Sequence, residues 1–183
     1  MRKNVKFLSH AALLAALYVA LTYGQNLLIP NSTSWAIQFR ASEALCVLAF
    51  FTPAAVPGLT VGCFLFNISN TGALPLDFLV GTLATFFSVG GMYLVRKWTV
   101  KGYPLLGMLL PGLFNALLVG WELSLYIGNS LFINGVYVAV GELAVMFTLG
   151  TLLSYGRIRC STGYHFSTGS IGGTLFYPLK TIK

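Results

Sequence analysis

The chain has 183 residues, of which 56% are hydrophobic and only 8% are charged. Soluble globular proteins carry about 25% charged residues, so this composition excludes an ordinary water-soluble fold. Basic residues outnumber acidic ones by 11 to 4. They form short clusters at the ends of apolar segments, as in membrane-protein loops, and no continuous basic surface of the kind that binds nucleic acid. Length and composition predict an all-α integral membrane bundle of about six transmembrane helices, surrounded by lipid.

Six apolar segments follow one another along the chain and are the predicted spans. Their approximate bounds are 7–28, 35–51, 55–68, 76–95, 103–126 and 132–155. The second and third are at or below the shortest length of about 17 residues that crosses a bilayer as a helix, so a re-entrant pair stays open. Residues 1–155 are predicted to form one transmembrane domain, and 156–183 a polar cytoplasmic tail of unknown role.

The basic clusters predict which side of the membrane each loop occupies, because cytoplasmic loops are enriched in lysine and arginine. With the first cluster in the cytoplasm, six crossings place the turn at 96–101 and the C-terminal tail there too. Ten of the eleven basic residues then face the cytoplasm, and Arg40 is the exception. Both termini are therefore predicted to be cytoplasmic.

The same topology places every acidic residue between the outer surface and the middle of the membrane. These residues are Glu43, Asp77, Glu122 and Glu142. A carboxylate at the bilayer centre costs about 2.5–3.5 kcal/mol on insertion scales, so acidic residues kept at that depth indicate a function.

Catalytic and metal-binding motifs are absent from the sequence. It contains no Gly-x-x-x-x-Gly-Lys-Ser/Thr loop, no His-Glu-x-x-His, no Gly-x-Ser-x-Gly and no Cys-x-x-Cys. The three cysteines show no metal-ligand spacing. We therefore expect neither an enzyme nor a resident metal or cofactor.

The second predicted span carries Gln38, Arg40 and Glu43. Arg40 and Glu43 are three residues apart and can meet on one helix face. Two interpretations stay open: an ion pair that only orders the helix, or a polar cavity wall to which Gln38 adds a hydrogen-bonding group.

The fifth and sixth predicted spans carry a second polar set. Asn115 and Glu122 are seven residues apart and share a face, with Trp121 beside the acid. Asn134, Tyr137 and Glu142 form a broad polar sector of the last span. Hydrogen bonding between helices is one interpretation. A ligand site is favoured, because small-molecule sites combine apolar walls with a few placed polar groups.

The first predicted span carries alanines four residues apart, at Ala12, Ala16 and Ala20. Such a flat ridge lets another helix approach closely. Packing within the bundle and docking of a separate protein are both open on this pattern.

Several of these segments together resemble the QueT family. The resemblance rests on residues 37–45 (Ile-Gln-Phe-Arg-Ala-Ser-Glu-Ala-Leu), on 50–58 (Phe-Phe-Thr-Pro-Ala-Ala-Val-Pro-Gly), and on the segments around Asn115-Ala116, Glu122-Leu123 and Gly141-Glu142. It covers about residues 7–155. QueT proteins are substrate-binding S components of energy-coupling factor (ECF) transporters in the bacterial cell membrane, and they import queuosine precursors.

The resemblance implies a six-helix substrate-binding subunit with an outward-facing pocket. It also implies partners: a transmembrane T component and two ATPase subunits, which hydrolyse the ATP. In S components the small-residue face of the first helix docks on the T component, which favours a partner interface at Ala12, Ala16 and Ala20. An S component for a different vitamin, or a membrane scaffold without a small ligand, is the alternative.

The implied substrates are deazaguanines, whose guanine-like edge offers two neighbouring N–H donors. A carboxylate accepts both in a bidentate pair, and Glu142 is the acid expected to do so. Some precursors carry an aminomethyl cation, which calls for a second acid. The deazaguanine ring is expected to stack on an aromatic side chain, either Trp35, Trp121 or Tyr137.

Overall fold

The computed structural model describes residues 2–30, 32, 39–70, 74–98 and 104–154. All regular structure in these residues is helical, which confirms the predicted all-α class. Trp35, Gln38 and the predicted tail at 156–183 lie outside the described residues.

Six helical segments occur in the described part of the chain. They are α1 (Arg2–Leu28), a 3-10 helix (Ala41–Phe50), α2 (Ala55–Ser69), α3 (Asp77–Leu94), α4 (Leu105–Ile127) and α5 (Leu131–Val145), which continues through a π-helical turn (Met146–Gly150). Four stretches are long and apolar enough to cross a membrane: Lys3–Leu28, Asp77–Leu94, Leu105–Ile127 and Leu131–Ser154. The 3-10 helix and α2 are shorter. The count of six crossings and the cytoplasmic position of both termini stay predictions.

The second predicted span differs most from the structure. Its described helix begins at Ala41 and has 3-10 geometry over ten residues, although 3-10 runs longer than three or four residues are uncommon. A 3-10 helix rises about 2.0 Å per residue, so this one extends about 20 Å, against about 15 Å for an α-helix of equal length. With 3-10 geometry, these ten residues therefore cover a greater length of the bundle than they would as an α-helix.

The 3-10 helix is the centre of the bundle. Consecutive α-helices pack against one another from α1 to α5, whereas α1 and α5 do not touch within the described residues. The 3-10 helix contacts all five and separates α1 from α5. Its side chains Leu45, Cys46 and Val47 pack in the main hydrophobic core with Tyr18 of α1 and Met146 of the π-helical turn. Residues at its N-terminal end are therefore held deep inside the protein.

Helices α1 and α2 pack through small residues. A Cβ atom added at Gly58 would lie 2.6 Å from the carbonyl oxygen of Ala11, and one at Gly62 would lie 2.9 Å from that of Ala15. Only glycine permits this separation of the two backbones. The contact covers Ala11 and Ala15 and so fixes which face of α1 turns away from α2.

One end of the bundle, which we call the acidic end, is where α1, α2 and α4 finish and where the 3-10 helix, α3 and α5 begin. The backbone N–H of Ala41 donates to Gln25 Oε1 near the end of α1, at 2.7 Å. Asn67 Nδ2 donates to the Asp77 carbonyl oxygen at 3.0 Å, joining the end of α2 to the start of α3. Arg40 and Asp77 are therefore brought to this end by helices far apart in sequence.

Candidate functional site

A buried ion pair connects the start of the 3-10 helix to the start of α3. Arg40 Nη2 lies 3.1 Å from Asp77 Oδ2, and both side chains are buried. The sequence left open an ion pair between Arg40 and Glu43, but in the structure Arg40 pairs with Asp77. Arg40 is the N-cap residue and has extended backbone angles (φ −110°, ψ 98°), so it stands outside the helical face on which Glu43 lies.

Glu43 receives hydrogen bonds from two neighbouring helices and from its own. Tyr18 Oη donates to its Oε1 at 2.5 Å, Thr85 Oγ1 donates to the same oxygen at 3.3 Å, and Cys46 Sγ donates to Oε2 at 3.0 Å. These donors belong to α1, α3 and the 3-10 helix itself. The carboxylate of Glu43 thus has its partners inside the protein and serves to hold these helices together.

Helix α1 is fastened to the N-terminal side of the 3-10 helix by two further side chains. Thr22 Oγ1 donates to Ser42 Oγ at 2.8 Å. Gln25 donates through Nε2 to the carbonyl oxygen of Phe39 and to Ser32 Oγ. These bonds fix the backbone on both sides of Arg40, so α1 determines where the guanidinium sits.

A second set of polar side chains, on α4 and α5, contains buried atoms without hydrogen-bond partners among the described residues. Both carboxylate oxygens of Glu122, both amide atoms of Asn134, Asn115 Nδ2 and Glu142 Oε2 are buried and have no hydrogen-bond partner among the described residues. Leaving a buried polar group unpaired costs about 1–3 kcal/mol, and more for a charged group. Asn115 and Glu122 lie on the buried face of α4, and Asn134 and Glu142 on that of α5. This arrangement fits groups that await a polar ligand.

Unpaired atoms also occur around the ion pair. Arg40 Nε, Asp77 Oδ1 and Asn67 Oδ1 are buried without a partner among the described residues. A shared core cluster packs the first half of α3 against α4 and α5, so we group the ion pair and the α4–α5 set as one candidate site. We call these residues the acidic site: Arg40, Glu43, Asn67, Asp77, Asn115, Glu122, Asn134 and Glu142.

The predicted residues divide into three groups. Arg40, Glu43, Asp77, Asn115, Glu122 and Glu142 are all buried in the acidic site. Trp121 and Tyr137 are not brought into it: they are 46% and 43% exposed, since each lies next to the buried face of its helix and not on it. Trp35 and Gln38 lie outside the described residues.

Sequence reasoning did not single out Tyr18 or Asn67. Tyr18 lies in an apolar span, where its ring suggests packing, and only the fold shows its hydroxyl on Glu43. Asn67 belongs to an Asn-Ile-Ser triplet that matches a glycosylation signal. Asn67 could have been recognised as a site residue because it is a lone amide inside an apolar segment, and such a side chain normally faces the protein interior.

The alanines of α1 divide between two surfaces. Ala11 and Ala15 are buried against α2, whereas the predicted ridge residues Ala12, Ala16 and Ala20 are exposed. Packing within the described bundle therefore does not account for the ridge.

A separate groove of about 400 Å³ lies between α3 and α4, away from the acidic end. Its walls are apolar and aromatic and include Phe86, Phe87, Tyr93 and Phe114. A surface of this kind suits lipid chains. It offers no charged partner to a polar solute, so the acidic site is the better candidate for solute binding.

The sequence was compared with known protein families and with curated proteins. The family model of the QueT transporter matches residues 8–156. The chain belongs to the QueT transporter family. A curated relative, the queuosine precursor transporter QueT of Lactococcus lactis subsp. cremoris (strain MG1363), is 41% identical over 83 residues. That match covers 43% of this chain and 46% of the relative, so it spans about half the relative's length. No solved structure matches.

Family membership agrees with the membrane character of the helices. QueT is a transporter family, and the described residues contain four helices able to cross a membrane. The protein is therefore a multi-pass protein of the bacterial plasma membrane.

Proposed function

We propose that this QueT family protein is the substrate-binding S component of an ECF-type importer and that it takes up a queuosine precursor, a deazaguanine. The observation that carries the proposal is the set of buried, unpaired polar atoms in the acidic site of a transporter family member. A membrane bundle gains nothing from such atoms unless a solute pairs with them, since each unpaired group costs stability.

The chemistry of the unpaired atoms suits a deazaguanine. Glu122 offers two free carboxylate oxygens, which can accept two neighbouring N–H groups in a charge-assisted pair. Asn115 and Asn134 offer unpaired amide N–H donors, and Arg40 an unpaired Nε–H, for the ring's carbonyl and nitrogen acceptors. A guanine-like ring requires this mixture of donors and acceptors.

Partners are the second part of the proposal. The sequence lacks a phosphate-binding loop, so ATP hydrolysis would fall to two partner ATPase subunits, coupled through a transmembrane T component. The exposed ridge of Ala12, Ala16 and Ala20 is the proposed docking face for the T component. Small side chains let a partner helix approach the backbone closely inside a membrane.

Thermal stabilisation of the purified protein tests the substrate assignment. A ligand that binds only the folded state raises the unfolding free energy by about 2.7 kcal/mol at 100 times its dissociation constant. We expect deazaguanines to raise the melting temperature and riboflavin, biotin and thiamine to leave it unchanged. A rise with one of the vitamins alone would favour a different S component. No rise with any solute would favour a scaffold protein.

A further inference from the structure

The acids of this protein are buried almost without compensating positive charge. All four acidic residues of the chain, Glu43, Asp77, Glu122 and Glu142, are buried, and Arg40 is the one buried basic side chain among the described residues. Buried charges are costly unless they are paired and hydrogen-bonded. The partners that each acid has, or lacks, therefore indicate what the site must receive from a ligand.

Two of the four acids already have partners in the protein. Asp77 pairs with Arg40 at 3.1 Å. Glu43 accepts hydrogen bonds from Tyr18, Thr85 and Cys46. Glu122 and Glu142 remain, and the described residues donate no hydrogen bond to either oxygen of Glu122 or to Oε2 of Glu142.

The two remaining acids differ in what they offer. Both oxygens of Glu122 are buried and unpaired, which suits two neighbouring N–H donors on one ring edge. Glu142 has one oxygen, Oε2, that is buried without a partner among the described residues, and the carboxyl group of Glu43 acts electrostatically on this side chain. A buried, unpaired carboxylate oxygen that also experiences a second acid suits a positively charged group.

Depth in the bundle separates the two acids. Glu122 lies five residues before the end of α4, about 7.5 Å from that end, and Glu142 lies eleven residues into α5, about 16.5 Å from its start. Both distances start from the acidic end, so the acids are offset by about 9 Å along the bundle. A bicyclic base can meet one acid with its ring edge and the other with a short substituent.

Asn134 indicates a polar ligand near the two acids independently of the acids themselves. It is fully buried, both of its amide atoms are unpaired among the described residues, and it lies on the same buried face of α5 as Glu142. A neutral side chain left without partners is not explained by proton uptake at a neighbouring acid. It requires a polar neighbour that the described residues do not provide.

Resting on the proposed function, we propose that the site selects deazaguanines that carry a protonated amine. Glu122 binds the guanine-like edge, and Glu142 is the counter-charge for the ammonium group. This division of roles revises the sequence-based expectation that Glu142 binds the ring edge. A precursor whose substituent is uncharged leaves Glu142 without its partner and binds more weakly.

Calorimetric titration with two ligands tests the assignment. The probes are 7-aminomethyl-7-deazaguanine and 7-cyano-7-deazaguanine, which share the ring edge and differ in charge. We expect the wild-type protein to bind the amine at least about tenfold more tightly, the size of a lost charge-assisted contact. Glu142→Gln should abolish that preference, whereas Glu122→Gln should weaken both ligands by a similar factor.

A control variant and the unliganded melting temperatures separate binding effects from folding effects. Ser88 is buried but donates within its own helix, to the Ala84 carbonyl oxygen at 2.7 Å, so Ser88→Ala should leave both affinities unchanged. Equal affinities in the wild type, which needs no variant to fold, would overturn the proposal, as would a preference that persists in folded Glu142→Gln. Binding of neither compound would instead overturn the proposed function itself.

Discussion

Arg40 and Asp77 form an ion pair across 37 residues of sequence, with Arg40 Nη2 at 3.1 Å from Asp77 Oδ2. Arg40 precedes the 3-10 helix and Asp77 begins α3, so the pair ties the central helix to the acidic end. Arg40 Nε and Asp77 Oδ1 remain unpaired among the described residues. The pair thus supports the fold and still has a donor and an acceptor available at the site.

We expect Arg40→Met to lower the unfolding free energy by about 3–5 kcal/mol, because it leaves Asp77 buried without its cation. The double variant Arg40→Met, Asp77→Leu should recover part of that loss, because it removes both charges together. Thermal unfolding of the three proteins in one detergent provides the measurement. Losses that simply add in the double variant would show that the two side chains are not coupled.

We expect Tyr18→Phe to lower the unfolding free energy by about 1.5–3 kcal/mol, the value of a hydrogen bond to a charged group. The lost bond is the 2.5 Å contact from the Tyr18 hydroxyl to Glu43. Tyr23→Phe is the matched control: it removes an exposed bond from the same helix, to Ser69 Oγ at 2.7 Å, and should cost less. Equal losses in the two variants would contradict a special role for Tyr18.

We expect Gly62→Ala to lower stability by about 1–3 kcal/mol, since overpacking a tight contact forces the backbone to shift. The added Cβ would meet Tyr18 Cβ at 2.8 Å and the Ala15 carbonyl oxygen at 2.9 Å. Gly24→Ala on α1 is the control, because nothing lies within 4 Å of its added Cβ. That change should be neutral or stabilising by about 0.5–1 kcal/mol. If both variants melt alike, the close approach of α1 and α2 is not required.

We expect the double variant Ala12→Leu, Ala16→Leu to abolish uptake in cells while the purified protein still binds its ligand. Leucine at these exposed positions would hold a partner helix away from α1. Ala144→Leu, at an exposed alanine on α5, is the control and should leave uptake intact. Loss of ligand binding in the double variant would show that the ridge serves the fold of this subunit and not a partner.

Much of the fold was predictable from the sequence because helical spans depend on local composition. The predicted segments 55–68 and 76–95 correspond to α2 (Ala55–Ser69) and α3 (Asp77–Leu94) within two residues. The 3-10 form of the central helix was not predictable. That helix contacts the five α-helices of the described bundle, and such packing constraints come from segments distant in sequence.

The sequence by itself determined which residues had to be buried together. A chain with four acids among mostly apolar residues must hide them from lipid, and their positions within the apolar segments place them at membrane depth. The residues that resemble the QueT family were likewise readable without a structure, and the family is confirmed.

Only the tertiary structure decided which of those acids have an ion-pair or hydrogen-bond partner in the protein. Spacing on one helix favoured Arg40 and Glu43 as partners, yet the fold gives Arg40 to Asp77 and gives Glu43 the hydroxyl of Tyr18. Glu122 and Glu142 look no different in sequence, and only their surroundings in the described part of the chain leave both oxygens of Glu122 and Oε2 of Glu142 unpaired. The reason is physical: hydrogen bonds and ion pairs act over about 3 Å, and sequence spacing cannot determine which helices approach that closely.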